Sequence, residues 1–110
     1  MRLPVIKHED ERRTLIEWIS DFHIKNCKVI IVKKKCELGN HYHKNKVDTF
    51  YLLRGSGTYK IGNEIGTFHA GECLRAYKHE PHTLTLKAGS ILLEASTTPY
   101  DKEDEIQIIK

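Results

Sequence analysis

The stretch "GNHYHKNKVDTFYLLRGSG" sets two histidines, His41 and His43, one residue apart, with Asp48 after four intervening residues. Along an extended strand, residues two apart point to the same side. The two imidazoles therefore share a face, and Tyr42 takes the other. So placed, they can bind one metal ion, or one can accept a proton while the other orients a substrate. Plain alternation sends Asp48 to the opposite face. Lys44-Asn45-Lys46 reads as a turn, however, so the next strand restarts with Asp48 inward, Phe50 and Leu52 following it and Tyr51 outward. A further imidazole, His82, opens "HTLTL", where Leu84 and Leu86 share its side. Three imidazole nitrogens and one carboxylate suit a divalent transition metal: zinc, iron, manganese, nickel or copper.

The segments that must position these groups read as strands. "CKVIIVKK" is rich in β-branched residues and "VDTFYLLRG" is a second apolar run. Gly55-Ser56-Gly57 is a hairpin signal after it, and Gly62-Asn63 marks a turn between "TYKIG" and "EIGTFHAG". "PHTLTLKAGSILLEAST" holds two more strands divided at Ala88-Gly89-Ser90, and "EIQIIK" closes the chain as an edge strand. "EDERRTLIEWISDF" carries Leu15, Ile16, Ile19 and Phe22 at helical spacing but also alternates as a strand. Many short strands with frequent glycine turns predict an all-β, antiparallel sandwich or barrel. Phe50, Leu52, Leu84, Leu86, Ile91 and Leu93 are assigned to its core, Trp18 to packing, and "DKEDE" to a solvated turn.

The chain's 110 residues suffice for one compact domain, 1–110. A formal charge of +3 is mild, and Lys33-Lys34-Lys35 reads as the solvated end of a strand. Nucleic acid is not an expected partner, since its recognition needs a broader basic face. Cys27, Cys36 and Cys73 form no CxxC pair and read as small buried thiols in a reducing compartment. No apolar run approaches the ~18 residues of a membrane helix, and "MRLPVIKHEDERR" lacks the apolar segment of a signal peptide. A cytoplasmic protein without a membrane partner is expected. His8, His23, His69 and His79 have no supporting spacing and read as exposed or locally bonded. The loop holding Tyr77 and His79 is placed to overhang a barrel mouth.

These motifs resemble those of the cupins, small antiparallel jelly-roll β-barrels (double-stranded β-helices). His41-Tyr42-His43, four residues, Asp48, six residues and Gly55 follow the first cupin motif, about 35–55, with Asp in place of Glu and Lys35 where a glycine opens it. Gly71 and His82 match the second motif, about 71–86, with Tyr77, His79 and Leu86 in place of its Pro, Gly and Asn. By this resemblance His41, His43, Asp48 and His82 are the metal ligands. The shorter Asp side chain either still binds or holds a ligand imidazole by a hydrogen bond. "DERRTLIEW", "GNHYHK" and "LLEASTTPYDKEDEI" are also similar to segments of the sugar-nucleotide branch, the nucleotide-sugar 3,4-ketoisomerases and dTDP-sugar epimerases. That similarity favours a strand over a helix for the early segment. In those enzymes a histidine pair works without metal as acid and base.

The resemblance implies a small metal-binding cupin acting on or binding a small polar molecule, a sugar or sugar derivative, with isomerase- or epimerase-type chemistry. His41 and His43 are its candidate catalytic residues. The alternatives are a metal-independent isomerase with His41 as base and His43 steering sugar hydroxyls, and a non-enzymatic module that binds a small ligand or metal. A small-molecule ligand and a homodimer formed by strand exchange or sheet packing are the implied partners.

Overall fold

The computed structural model describes residues 1–21 and 23–108. Phe22 of the early segment, and the last two residues of the closing strand assignment, lie outside them. Among the described residues the chain forms β1 (Arg2–Leu3), β2 (Ile6–Glu9), β3 (Thr14–Glu17), β4 (Asn26–Ile31), β5 (Cys36–His43), β6 (Asp48–Arg54), β7 (Ser56–Ile61), β8 (Glu64–His69), β9 (Cys73–Ala76), β10 (His82–Leu86), β11 (Ile91–Ser96), a 3-10 turn (Lys102–Asp104) and β12 (Glu105–Gln107). The early segment is strand at Thr14–Glu17, and its described residues hold no helix. Among the described residues no helix is long and apolar enough to cross a membrane.

Two five-stranded antiparallel sheets face one another, in the orders β1-β9-β6-β11-β4 and β12-β5-β10-β7-β8. From β4 onward successive strands alternate between the sheets, except that β7 and β8 are neighbours. This is the antiparallel jelly roll expected from the sequence. The Gly62-Asn63 turn joins β7 to β8 as expected, with Ile61 opposite Glu64. Gly55-Ser56-Gly57, predicted to close a hairpin, instead carries the chain from one sheet to the other. The space there admits no side chain: a Cβ on Gly57 would stand 1.9 Å from the Thr85 carbonyl oxygen.

Apolar side chains from both sheets meet between them, with Leu52, Phe68, Leu74, Leu84, Leu86 and Leu92 fully enclosed. Burial of such side chains stabilises a small domain by about 1.5–3 kcal/mol each. In β11 the inward residue is Leu92; Ile91 and Leu93, assigned to the core from sequence, are only half-buried. A strand has a period of two, so an assignment wrong by one residue exchanges the faces. Tyr51 points away from the barrel interior, yet it is buried, because Trp18 stacks on it with ring centroids 5.7 Å apart. The N-terminal segment therefore covers part of that sheet's outer face. Arg75 secures the same segment through two 2.8 Å hydrogen bonds donated to Asp21. Of the three cysteines only Cys73 is buried; Cys36 is half-buried and Cys27 exposed, against the expectation of three buried thiols. Burial pushes the Cys73 thiol up to about 11, so it stays protonated and unreactive.

Candidate active site

The histidines owe their orientation to an irregularity in β5. Leu38 packs toward the core, so strict alternation would turn His41 and His43 outward. Gly39 and Asn40 both take positive φ, 100° and 63°. The pairing of β5 with β10 shifts at this point, so that Thr83 faces Gly39 while His82 faces His41. An extra residue in one strand of a ladder rephases the side chains beyond it, and here it returns both imidazoles to the interior. Glycine and asparagine are the residues that enter this left-handed region most readily. A Cβ on Gly39 would also approach the His82 carbonyl oxygen to 2.6 Å.

His41, His43 and His82 converge, each offering a nitrogen within 4.8 Å of the others'. Ring centroids are 4.6 Å apart for His41 and His43, 4.7 Å for His41 and His82, and 5.4 Å for His43 and His82. The rings line a cavity of about 80 Å³ closed on the apolar side by Leu38, Phe50, Leu84 and Leu92. His82 is tied by its Nδ1 to the Glu80 carbonyl oxygen at 3.0 Å. His43 is more isolated. Only 3% exposed, it has no hydrogen-bond partner for either ring nitrogen among the described residues. Its Nε2 lies 3.3 Å from Asp48 Oδ2, and its Nδ1 lies 3.7 Å from Asp104 Oδ2. His41 keeps an edge toward solvent, and its Nδ1 lies 3.2 Å from Glu105 Oε1.

Asp48 starts β6 facing inward, as the sequence predicted. Ser96, its partner across the ladder, donates a 2.6 Å hydrogen bond to Oδ1. The Lys46 ammonium lies 3.7 Å from the same oxygen. Oδ2 is directed at two imidazoles, 3.3 Å from His43 and 3.9 Å from His82. Burial acts to raise the Asp48 pKa, but the contacts from His43, Ser96 and Lys46 outweigh it and hold the carboxyl below its ordinary value. Burial, with the neighbouring His82 next, lowers the His41 pKa to about 4; Glu105 works in the opposite direction. Burial likewise lowers the pKa of His82. Glu94, also on the cavity wall, is raised by burial and then by the Asp48 charge.

Several residues of the site escaped the sequence reading. Lys46 was assigned to a turn, yet it is buried and lines the cavity. Lys28 and Lys46 both approach the face of Tyr100, at 5.5 and 5.9 Å from the ring centroid. "DKEDE", assigned to a solvated turn, supplies buried Asp104 and also Glu105. The local signal for these residues is weak, since charged residues between strands usually face water. The Gly39-Asn40 dipeptide was a usable sign of the bulge. Conversely, Tyr77 and His79 do not line the cavity. The His79 ring faces Tyr42 on the outer side, 6.3 Å away, and the Tyr77 hydroxyl reaches Met1 Sδ at 3.8 Å. His69, read as exposed or locally bonded, is exposed and contacts Thr67 Oγ1 at 3.1 Å.

Comparison with known proteins agrees with the architecture. The model of the family described as "Polysaccharide biosynthesis C-terminal domain" matches residues 8–79. No curated protein matches the chain in sequence. Among solved structures, the TDP-fucose-3,4-ketoisomerase WlaRA of Campylobacter jejuni superposes with a TM-score of 0.83 at 20% identity, covering 98% of this chain and 88% of that one. The 3'-monoepimerase ChmJ of Streptomyces bikiniensis, solved with dTDP-quinovose, gives 0.85 at 16%, covering 97% and 68%. The capsular polysaccharide assembling protein CapF of Staphylococcus aureus gives 0.66 at 19%, covering 96% of this chain and 33% of that protein.

Proposed function

The chain belongs to the polysaccharide biosynthesis C-terminal domain family, and we propose that it is a sugar-nucleotide isomerase or epimerase. In this reading a proton moves next to the carbonyl of a nucleotide-linked keto-sugar, with His41 as the base. WlaRA and ChmJ share the fold at low identity and lend the substrate class by analogy. The chemistry rests on the site itself. The observation that carries it is the pairing of His41 Nδ1 with Glu105 at 3.2 Å on the cavity wall.

Burial draws its pKa down to about 4, so the His41 imidazole is neutral at pH 7 but a weaker base than a free imidazole, and Glu105 offsets part of that loss when it accepts a proton. It takes that proton from the carbon beside the carbonyl, and the C–H electron pair moves into an enolate. Glu105 steadies the imidazolium so formed. The ammonium of buried Lys46 faces the developing oxygen charge. Delivery of a proton drawn from solvent to the other face of the same carbon, with His41 then releasing its own proton to solvent, is epimerisation. Return of the proton from His41 to the former carbonyl carbon, with a hydroxyl proton shifted to balance, moves the keto group and is isomerisation. His43 lies deeper than His41, between two carboxylates, and orients the site. To test the reading, nucleotide-linked 4-keto sugars are incubated with the protein in D2O and followed by NMR. Deuterium should enter beside the carbonyl, and His41→Asn should abolish it. No exchange with any member of a broad panel would end this proposal.

A second reading keeps a metal. The orphaned nitrogens of His43 and the convergence of three imidazoles fit a divalent transition ion. His41, His43 and His82 would hold it, with Asp48 either a fourth ligand or a hydrogen-bonding partner of the rings. The ion would supply Lewis acidity toward a substrate oxygen. Elemental analysis of tag-free protein, with activity measured in chelator, separates the two readings: near-stoichiometric metal and loss of turnover favour the ion.

Self-association also belongs to the proposal. The β2–β3 hairpin is exposed along its whole length and presents Ile6, Leu15 and Ile16 to solvent. A lone two-stranded hairpin is marginally stable in water. A second copy seated on it would cover that apolar surface, and light scattering should report a dimer. A monomer at micromolar concentration overturns this part.

A further inference from the structure

One buried carboxylate of the site touches no reacting group in the chemistry above. Asp104 ends the 3-10 turn and is 6% exposed. Its Oδ1 accepts the Asn45 amide at 2.7 Å, and its Oδ2 accepts the Lys46 amide at 3.1 Å. Its own carbonyl accepts the Lys44 amide at 3.2 Å. Three successive amides of the connection between β5 and β6 thus end on one residue near the far end of the chain. That connection begins at His43, contains Lys46 and delivers Asp48.

Burying a carboxylate is costly unless donors surround it. A turn needing only closure can use backbone carbonyls or a neutral side chain. Here a negative charge is kept inside, and one of its oxygens also lies 3.7 Å from His43 Nδ1. On the opposite edge of that ring Asp48 Oδ2 stands 3.3 Å from Nε2. The imidazole is therefore bracketed by two carboxylates, each anchored by donors of its own: Ser96 and Lys46 for Asp48, two main-chain amides for Asp104.

We propose that Asp104 is a positioning residue. Its carboxylate grips the 44–46 connection, sets the Lys46 ammonium in the cavity and holds the His43 ring between two negative charges. The closing segment of the chain then completes the site rather than merely covering it. This rests on the cavity being the reaction site, but the placement itself can be read without substrate. Asp104→Asn leaves one acceptor oxygen and turns an amide donor toward one of the two main-chain donors. The connection must shift to relieve that clash.

The test uses the full chain, labelled with 15N and 13C. In the wild type, nuclear Overhauser contacts between the His43 ring and the Asp104 Hβ protons are expected, and their absence overturns the proposal whatever the variants do. In Asp104→Asn, the ring signals of His43 should move while those of exposed His8 and His69 stay in place. With a substrate in hand, kcat should fall about tenfold with KM nearly unchanged, as for the loss of an orienting partner. Should that variant not fold, Asp104→Ser, which keeps one acceptor, is read in the same way. A folded variant whose His43 signals and kcat both match the wild type overturns the proposal. A wild type that turns over no sugar nucleotide refutes the proposed function instead, and the NMR contacts and shifts still decide the role of Asp104.

Discussion

The Nδ1 atom of His41 lies 3.2 Å from Oε1 of Glu105, on the strand that closes the sheet beside it. Glu105 stands directly across the ladder from His43 and reaches His41 along the diagonal. One short strand thus brings a carboxylate to the imidazole nearest the solvent. Glu105→Gln keeps the shape and removes the charge that steadies a protonated ring. Turnover of a keto-sugar nucleotide should fall by about 10- to 100-fold in kcat, with KM little changed. Steady-state kinetics and the rate of deuterium uptake check this, and an unaltered kcat would remove Glu105 from the mechanism.

Acid should loosen the fold through the same histidines. The pKa of His41 is about 4 in the folded chain against an ordinary 6.5, and that of His82 is lowered as well. A depressed imidazole pKa means that the folded state binds protons less readily than the unfolded one. The associated stability is complete above about pH 6.5 and is lost as the pH falls toward 4. Melting temperatures of chelator-treated protein should drop between pH 7.5 and 5, and less steeply in His41→Asn. Parallel curves for the two proteins would contradict the assignment.

The bulge is open to a direct test. Gly39→Ala puts a methyl group 2.6 Å from the His82 carbonyl oxygen at a φ of +100°. Urea denaturation should show a loss of about 1–3 kcal/mol, accompanied by movement of the His41 and His82 ring resonances. Equal stability would mean that β5 can pass β10 without the left-handed kink.

The register of β11 predicts a contrast between neighbours. Leu92→Ala empties a fully enclosed site and should cost about 2–5 kcal/mol. Leu93→Ala acts on the half-buried outer face and should cost well under half as much. Chemical denaturation of the pair decides it, and the reverse order would place the strand one residue out of phase.

Much of this molecule is local in origin. Alternating β-branched runs and glycine turns sufficed for an antiparallel barrel, because a strand's two faces are written in its own order of residues. The same logic put His41 and His43 on one side, turned Asp48 inward after the Lys44-Asn45-Lys46 connection, and aligned His82 with Leu84 and Leu86. Even so, it placed Leu93 rather than Leu92 inside, since a run as uniform as "ILLEA" does not declare its phase.

What only the tertiary structure decided is which polar groups lose water. Lys46, Asp104 and Glu105 sit among charged neighbours in the sequence and look solvated there. They become part of the site because the closing segment lies back against β5 and supplies partners from the other end of the chain. The effect of the Gly39-Asn40 bulge is decided in the same way, by the pairing with β10. Desolvation and ladder register are properties of pairs of distant residues, so neither is contained in any single stretch of the sequence.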